Sequence, residues 1–425
     1  MINRIQNFII KHKNTYKDLN NYLLASMIPM LVSMAANPVF AIYLPPEQYA
    51  IVGYYASFTT LFTPFISFYM SHYYMRLYYE LEEKDRKHLY QTIAQLLIWG
   101  SLLLTIIGIT CIVVYSKFFN TKTDMPLWPY CILALLAPFF GGLFQLRLVQ
   151  YKMQRLSLRF FFWSGGNGVL ITVLSLLLVV AGAGATGKML GAALVPAFFF
   201  ILICWQERNY FLSKIDLKLA SDCLIFCIPL VIAAMLGFFS GGYDKVYLER
   251  YVPVKILGIY SVGVSIATMV NVFSDAVTTT FTPDIYQSIA ERNFIRFIRF
   301  VLLKLAIVSA VVIPFLILAP IAIKILTAGR YMDSVGYARI AVLSTLTSSL
   351  YYSGSQLTIA LKHNYVTLLT RVIGSILCIG MYHEFIQRWH ATGAAWSLVA
   401  SFLIFFICNI TLLGGCILIK GKRHV

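Results

Sequence analysis

The stretch FFSGGYDKVYLERYVPVKILGIYSV, Phe238 to Val262, sets Asp244, Lys245, Glu249, Arg250 and Lys255 between two long apolar runs. Its reading decides which solvent the chain folds in. The charges are a plain extramembrane loop, a helix end dipped in headgroups, or part of a site that handles a charged substrate. Composition settles the solvent first. The chain has 425 residues, of which 59% are hydrophobic and 12% charged. A soluble domain carries about 25% charged residues. No soluble fold hides so much apolar surface, so lipid is the solvent for most of this chain.

A lipid-spanning helix needs roughly 20 apolar residues. Twelve such runs are expected, at about 22–44, 49–75, 92–115, 127–149, 158–181, 186–205, 223–250, 255–281, 298–323, 336–361, 366–385 and 392–418. A closed barrel is excluded because the runs are continuously apolar rather than alternating. The net charge of +17 follows membrane topology rather than nucleic acid. With the N-terminus inside, most of the lysines and arginines fall in cytoplasmic pieces. These include Arg4, Lys11, Lys13, Lys17, Arg76, Arg147, Lys214, Arg292, Lys304, Lys362, Arg371, Lys420, Lys422 and Arg423. Both termini are then cytoplasmic. The basic N-terminal stretch precedes an apolar run without a small-residue cleavage site, so no removable signal is expected. The eight cysteines form no CxxC pair and read as small packing residues.

The connections are short, which leaves no extramembrane domain to hold chemistry. Residues 206–222 divide the chain into a bundle at 1–205 and a second at 223–425, six spans each. The halves echo weakly through Ile28-Pro29 and Ile228-Pro229, as in transporters built from repeats. No phosphate-binding glycine loop, HExxH or GxSxG occurs. The expectation is therefore a transporter rather than an enzyme, with no cofactor and no metal, driven by an ion or substrate gradient.

Polar residues inside the spans are the candidate site. Ser344, Ser348, Tyr351, Ser355, Thr358 and Lys362 recur at helical spacing in the tenth span, and Asn271, Asp275, Thr278 and Thr282 do so in the eighth. Such faces serve either helix–helix hydrogen bonding or a water-filled cavity. Asp275 is the candidate coupling-ion group, because a lone carboxylate in hydrocarbon costs roughly 2.5–3.5 kcal/mol. Arg76, Arg147, Lys245, Lys324 and Arg371 lie inside or near span ends. They either snorkel to headgroups or line a path that attracts phosphate. Asp244 and Lys245 are expected on the outer third of the seventh helix, with Glu249 one turn on.

Four spots carry a family resemblance. Asp244-Lys245 followed by Gly258-Ile259-Tyr260-Ser261 resembles the seventh-to-eighth-span signature of polysaccharide flippases. LPPEQYAIVGYYASF (44–58) and ILTAGRYMDSVGYARI (325–340) are similar to two further family elements, and Thr282-Pro283-Asp284 to a third. Ala50 stands where the family usually has glycine. These flippases belong to the multidrug/oligosaccharidyl-lipid/polysaccharide exporter superfamily. The resemblance implies an all-α integral membrane protein, with two six-helix bundles in a V and alternating access. It implies a bacterial inner-membrane flippase for undecaprenyl-diphosphate-linked oligosaccharide, an O-antigen or capsular repeat unit of lipopolysaccharide or capsule assembly. It implies a cationic central cavity that receives the glycan and diphosphate while the lipid tail stays among the membrane lipids; the substrate-path candidates here are Arg76, Arg147, Asp244, Lys245, Asn271, Ser348, Ser355 and Arg371. Proton or sodium coupling is expected, with a polymerase and glycosyltransferases as pathway partners. Fourteen-span relatives such as lipid II flippases are disfavoured by span number. The alternatives are a multidrug or small-molecule cation antiporter of the same fold, or a polymerase or ligase of glycan assembly.

Overall fold

The computed structural model describes residues 2–119, 125–208, 215–291 and 293–421. Lys214, Arg292, Lys422 and Arg423, together with the side chains of Arg4, Lys11, Lys13, Lys17 and Lys420, lie outside the described residues. Among the described residues every regular element is helical. The helices are α1 (Ile2–Tyr43), α2 (Pro46–Ser67), α3 (Met70–Leu77), α4 (Glu83–Phe119), α5 (Tyr130–Met153), α6 (Ser157–Leu178) and α7 (Gly184–Gln206). After them come α8 (Leu217–Leu236), α9 (Phe238–Gly241), α10 (Tyr243–Leu248), α11 (Val254–Ala290), α12 (Phe294–Leu326), α13 (Val335–Ala360) and α14 (Asn364–Gly421). Local chemistry sets several starts. Asp216 accepts from the backbone N–H groups of Lys218 and Leu219 at 3.0 and 3.1 Å ahead of α8, and Asn293 accepts from that of Arg296 at 3.0 Å ahead of α12.

Eight helices are long and apolar enough to cross a bilayer, or nine with the bent pair α2–α3 taken as one. Two of these, at 157–206 and 365–416, are folded back on themselves. The first turns through a π turn at Val179–Ala183, where Gly182 and Gly184 have φ of 93° and 55°. That left-handed region is one glycine enters without a Cβ penalty. Beyond it Ser175 Oγ donates to the Lys188 carbonyl at 3.1 Å, and Gly191 lies against the Ser175 backbone. The second turns at His390, φ 47°, with Gly393 against the Phe385 carbonyl and Gly374 against the Phe405 ring. Helix α13, rich in Ser and Thr, is not among the eight.

The chain divides into two compact units: Met1–Leu44, Phe58–Phe118 and Pro126–Ile232 form one; Pro45–Ser57, Phe119–Met125 and Ala233–Val425 form the other. In the first, α6 packs on α1 and α7, and α5 packs on α7. Tyr74, Leu89, Tyr90, Ile93, Leu143, Leu146 and Ile203 form the centre of its core, closed by Cys223 and Cys227. In the second, α11 packs on α12 and α13, and α13 packs on α14.

The seventh run is broken rather than one helix over 223–250. Gly237 ends α8, and Gly242 separates the one-turn α9 from α10. A Cβ at Gly237 would strike the Arg371 guanidinium, and one at Gly242 the Phe238 ring.

Three motifs that lie far apart in sequence meet around the start of α11. Gly258 lies against the Pro46 backbone, Gly53 against Ser261 and Lys245, and Gly263 against the Ser334 carbonyl and Tyr337. Tyr49 packs edge-on to Tyr331 at 5.2 Å, and Tyr260 to Tyr337 at 5.7 Å. A Cβ at residue 258 would overlap the Pro46 carbonyl, and that neighbour is backbone and cannot rotate away. Gly258→Ala is expected to destabilise the protein by about 1–3 kcal/mol or more, the cost of overpacking. Thermal unfolding in detergent checks this, with exposed Gly241→Ala as the comparison.

Candidate functional site

The sequence of α10, YDKVYL, places Asp244 on the buried face of a short helix. Asp244 is fully enclosed. Its Oδ2 accepts from the Tyr260 hydroxyl at 2.7 Å and lies 3.8 Å from Lys245 Nζ. Among the described residues its Oδ1 has no hydrogen-bond partner, and Tyr382 is fully buried within electrostatic reach of Asp244. A buried carboxylate of this kind depends on its cation. Lys245 therefore compensates Asp244, and Glu249 is not its salt-bridge partner. A tyrosine wall continues from this group. Tyr243 stacks on Tyr247 at 5.5 Å. The Tyr247 hydroxyl bonds the Tyr251 hydroxyl at 2.9 Å and His383 Nδ1 at 2.6 Å.

The polar stripes of α11 and α13 face each other in part. Thr345 donates to Asn271, and Gln356 Nε2 donates to Thr282 Oγ1 at 2.8 Å. Ser348 bonds back to the Thr345 carbonyl at 3.0 Å, and Ser355 is half-buried. These contacts are helix-to-helix hydrogen bonds, one of the two uses open to such a face. Asp275 differs, since its side chain is exposed along α11. Tyr352 is within electrostatic reach of both Asp275 and Arg371.

The candidate cations fall into two groups. Arg147, on α5, pairs with Glu207, which is 5% exposed and also accepts from the Tyr90 hydroxyl at 3.2 Å. Arg147 and Lys245 are thus each matched by a carboxylate. Arg76 and Arg371 form no salt bridge among the described residues. The Arg76 guanidinium lies over the Phe226 ring at 4.9 Å and that of Arg371 over Tyr351 at 6.0 Å. Cation–π contact orients both without neutralising either.

Lys304 is the residue that pattern reading misplaced. As one of the topology-setting cations it should reach water, yet it is fully buried. It donates to the Ser349 carbonyl at 2.9 Å and to Ser353 Oγ, joining α12 to α13. The signal was available. FVLLKLAIV holds a lone lysine more than a turn inside an apolar run, and Ser349 and Ser353 form an i, i+4 pair beside the predicted stripe. No group of three or more His, Cys, Asp or Glu able to hold a metal occurs among the described residues.

This architecture is that of a class of membrane transporters. The fold matches the lipid II flippase MurJ in an inward closed conformation, with a TM-score of 0.68 and 12% identity over 92% of this chain and 86% of that one. It matches an inward-facing multidrug resistance MATE family transporter of the MOP superfamily at 0.63, with 14% identity over 92% and 98%. It also matches the Vibrio cholerae MATE transporter VcmN at 0.56, with 12% identity over 95% and 96%. The disfavoured fourteen-span flippases thus share this chain's fold. A search of curated proteins finds no match. A family model described as "Polysaccharide biosynthesis protein" matches residues 17–289. The chain belongs to that family and is a multi-pass membrane protein with the fold of these transporters.

Glu249 supplies a pH test outside the spans. It lies between the candidate spans 217–241 and 254–290 and is 2% exposed. Burial pushes its carboxyl up from 4.5 to about 7, with Arg250 opposing. The folded pKa is above the unfolded one, so its stabilising contribution is complete below about pH 4.5 and is lost as pH rises through about 7. Glu249→Gln should remove this slope and raise stability above pH 7 by up to about 3 kcal/mol. Melting temperatures between pH 5 and 8 read it directly.

Proposed function

We propose that the protein translocates an oligosaccharide linked to undecaprenyl diphosphate, an O-antigen or capsular repeat unit, across the bacterial inner membrane. The family membership supports the pathway. The observation that carries the substrate reading is the pair Arg76 and Arg371, two guanidinium groups held on aromatic rings with no salt bridge. A guanidinium without a carboxylate is available to a phosphate oxygen, which it engages through two parallel N–H donors. Arg147 and Lys245 act first as counter-ions to Glu207 and Asp244. Their part in the path is indirect, through holding α5 and α10 in place. Asn271, Ser348 and Ser355 are the polar residues of α11 and α13 assigned to the same path.

In this reading the chain works by alternating access between a bundle at 1–205 and one at 223–425, with 206–222 as the cytoplasmic link and both termini cytoplasmic. Counting each arm of the two folded-back helices, the bent pair and α13 as single spans supports a total of twelve. A polymerase and glycosyltransferases of the same pathway supply and consume the cargo.

The test is export. Arg76→Ala and Arg371→Ala should each lower surface polysaccharide on the order of tenfold, and the double variant further, while insertion and folded yield are retained. Wild-type polysaccharide from the double variant would sink the diphosphate role. Arg371→Lys should recover part of the loss, because charge survives while the fork geometry does not.

Asp275 supports coupling to a proton or sodium gradient, and it is also the feature that a cation antiporter reading would use. Asp275→Asn is expected to leave a basal flux that no longer responds when the gradient is collapsed. Full gradient dependence in that variant would remove Asp275 from the coupling step. Export of a small organic cation, with no change in surface polysaccharide on deletion, would favour the antiporter.

A further inference from the structure

At one end of the first unit, a cleft of about 340 Å³ lies where α3 and α5 end and α4 begins. We propose that it binds a hydroxyl-bearing phosphate ester, of the kind presented by the glycerophosphate headgroup of an anionic lipid. The inference goes beyond the cargo reading and stands whether or not that reading holds.

The lining has the composition such a ligand needs. Arg86 and Lys87 bring two cations against the single carboxylate of Glu83. Gln150 and Gln154 bring paired amide donors and acceptors suited to hydroxyl groups. Tyr74, Tyr78 and Tyr90 form the wall. They are locked edge to face, Tyr74 with Tyr78 at 5.6 Å and with Tyr90 at 5.7 Å. Arg86 is preorganised on this wall. Its guanidinium lies over Tyr78 at 4.9 Å and its Nε donates to the Leu81 carbonyl at 2.9 Å, which leaves its terminal nitrogens to face a ligand. Behind the wall the Tyr90 hydroxyl is anchored on Glu207, whose charge Arg147 already matches.

Its depth fits a headgroup. Tyr79, 71% exposed, follows the end of α3, and its hydroxyl donates to the Met153 carbonyl at 3.2 Å, next to Gln154; Trp205, equally exposed, lies at the end of α7. Amphipathic aromatic residues of this kind mark the headgroup level of a bilayer. The volume lies in the range of small-ligand sites, roughly 300–1,000 Å³, enough for a glycerol or hexose phosphate but not for a whole oligosaccharide.

The experiment uses the full-length protein in detergent micelles. Phosphatidylglycerol and phosphatidylethanolamine are titrated and retention is read by native mass spectrometry. Soluble glycerol 3-phosphate and hexose 1-phosphate are titrated in parallel, with thermal shift as the readout. Lys87→Gln combined with Gln154→Ala changes two exposed side chains and spares the tyrosine wall; Arg159→Gln, an exposed cation outside the cleft, is the control. Phosphatidylglycerol retained over phosphatidylethanolamine, with affinity about tenfold weaker in the double variant and unchanged in the control, establishes the lipid headgroup as ligand. A shift from the soluble esters, lost in the same variant, supports the same chemistry from a soluble source. Equal retention of both lipids with no response to either ester overturns the site, as does binding that survives the double variant or falls equally in the control. Arg86→Lys, which keeps the charge and loses the fork, should give an intermediate affinity in whichever arm is positive.

Discussion

The second unit depends on how closely two backbones approach at Gly258. Lipid offers helices no hydrophobic reward for pairing, so association rests on van der Waals contact and interhelical hydrogen bonds. Both demand close backbones. With no side chain at 258, the Pro46 carbonyl comes to rest on α11. Three and five residues further along α11, Ser261 receives Gly53 and Gly263 receives the backbone at Ser334. Small residues on different sides of the same two turns thereby fix segments from three distant parts of the chain. Tyr260, on that same stretch, reaches Asp244 and orients the only carboxylate of α10.

Charge in this protein is sorted by whether it is matched. Asp244 with Lys245, and Glu207 with Arg147, are enclosed pairs in which loss of one partner strands the other in a low dielectric. Lys304 is enclosed with oxygens of Ser349 and Ser353. Arg76 and Arg371 rest on aromatic rings and keep their full charge for something else. The enclosed pairs belong to architecture, and the aromatic-held cations are the ones the proposed function assigns to an anion.

Much of the fold was legible in sequence for one reason: hydrocarbon permits few backbone solutions, so a run of roughly 20 apolar residues reads as a helix. The motif stretches were legible too, because glycine and proline mark where backbones touch. Other features were not. The break at Gly237 and Gly242 was hidden by the apolar residues around it, since hydropathy does not register dihedral angles. Lys304 was misread because a lysine near a span end and one inside a bundle look alike until Ser349 and Ser353 are brought beside it. Arg147 looked equivalent to Arg76 and Arg371, because a counter-ion supplied from a distant segment, as Glu207 is to Arg147, leaves no mark in local spacing.

The folded-back helix at 157–206 has almost no polar connection between its arms, since Gly182 and Gly184 turn it within a few residues. A lone arm entering the bilayer would leave its partner arm, equally apolar, in water. That pair is therefore expected to enter the membrane as one hairpin rather than span by span. The turn of 365–416 at His390 differs, because Glu384 and Arg388 form an exposed ion pair beside it, which gives a reporter of sidedness a polar place that the glycine turn lacks.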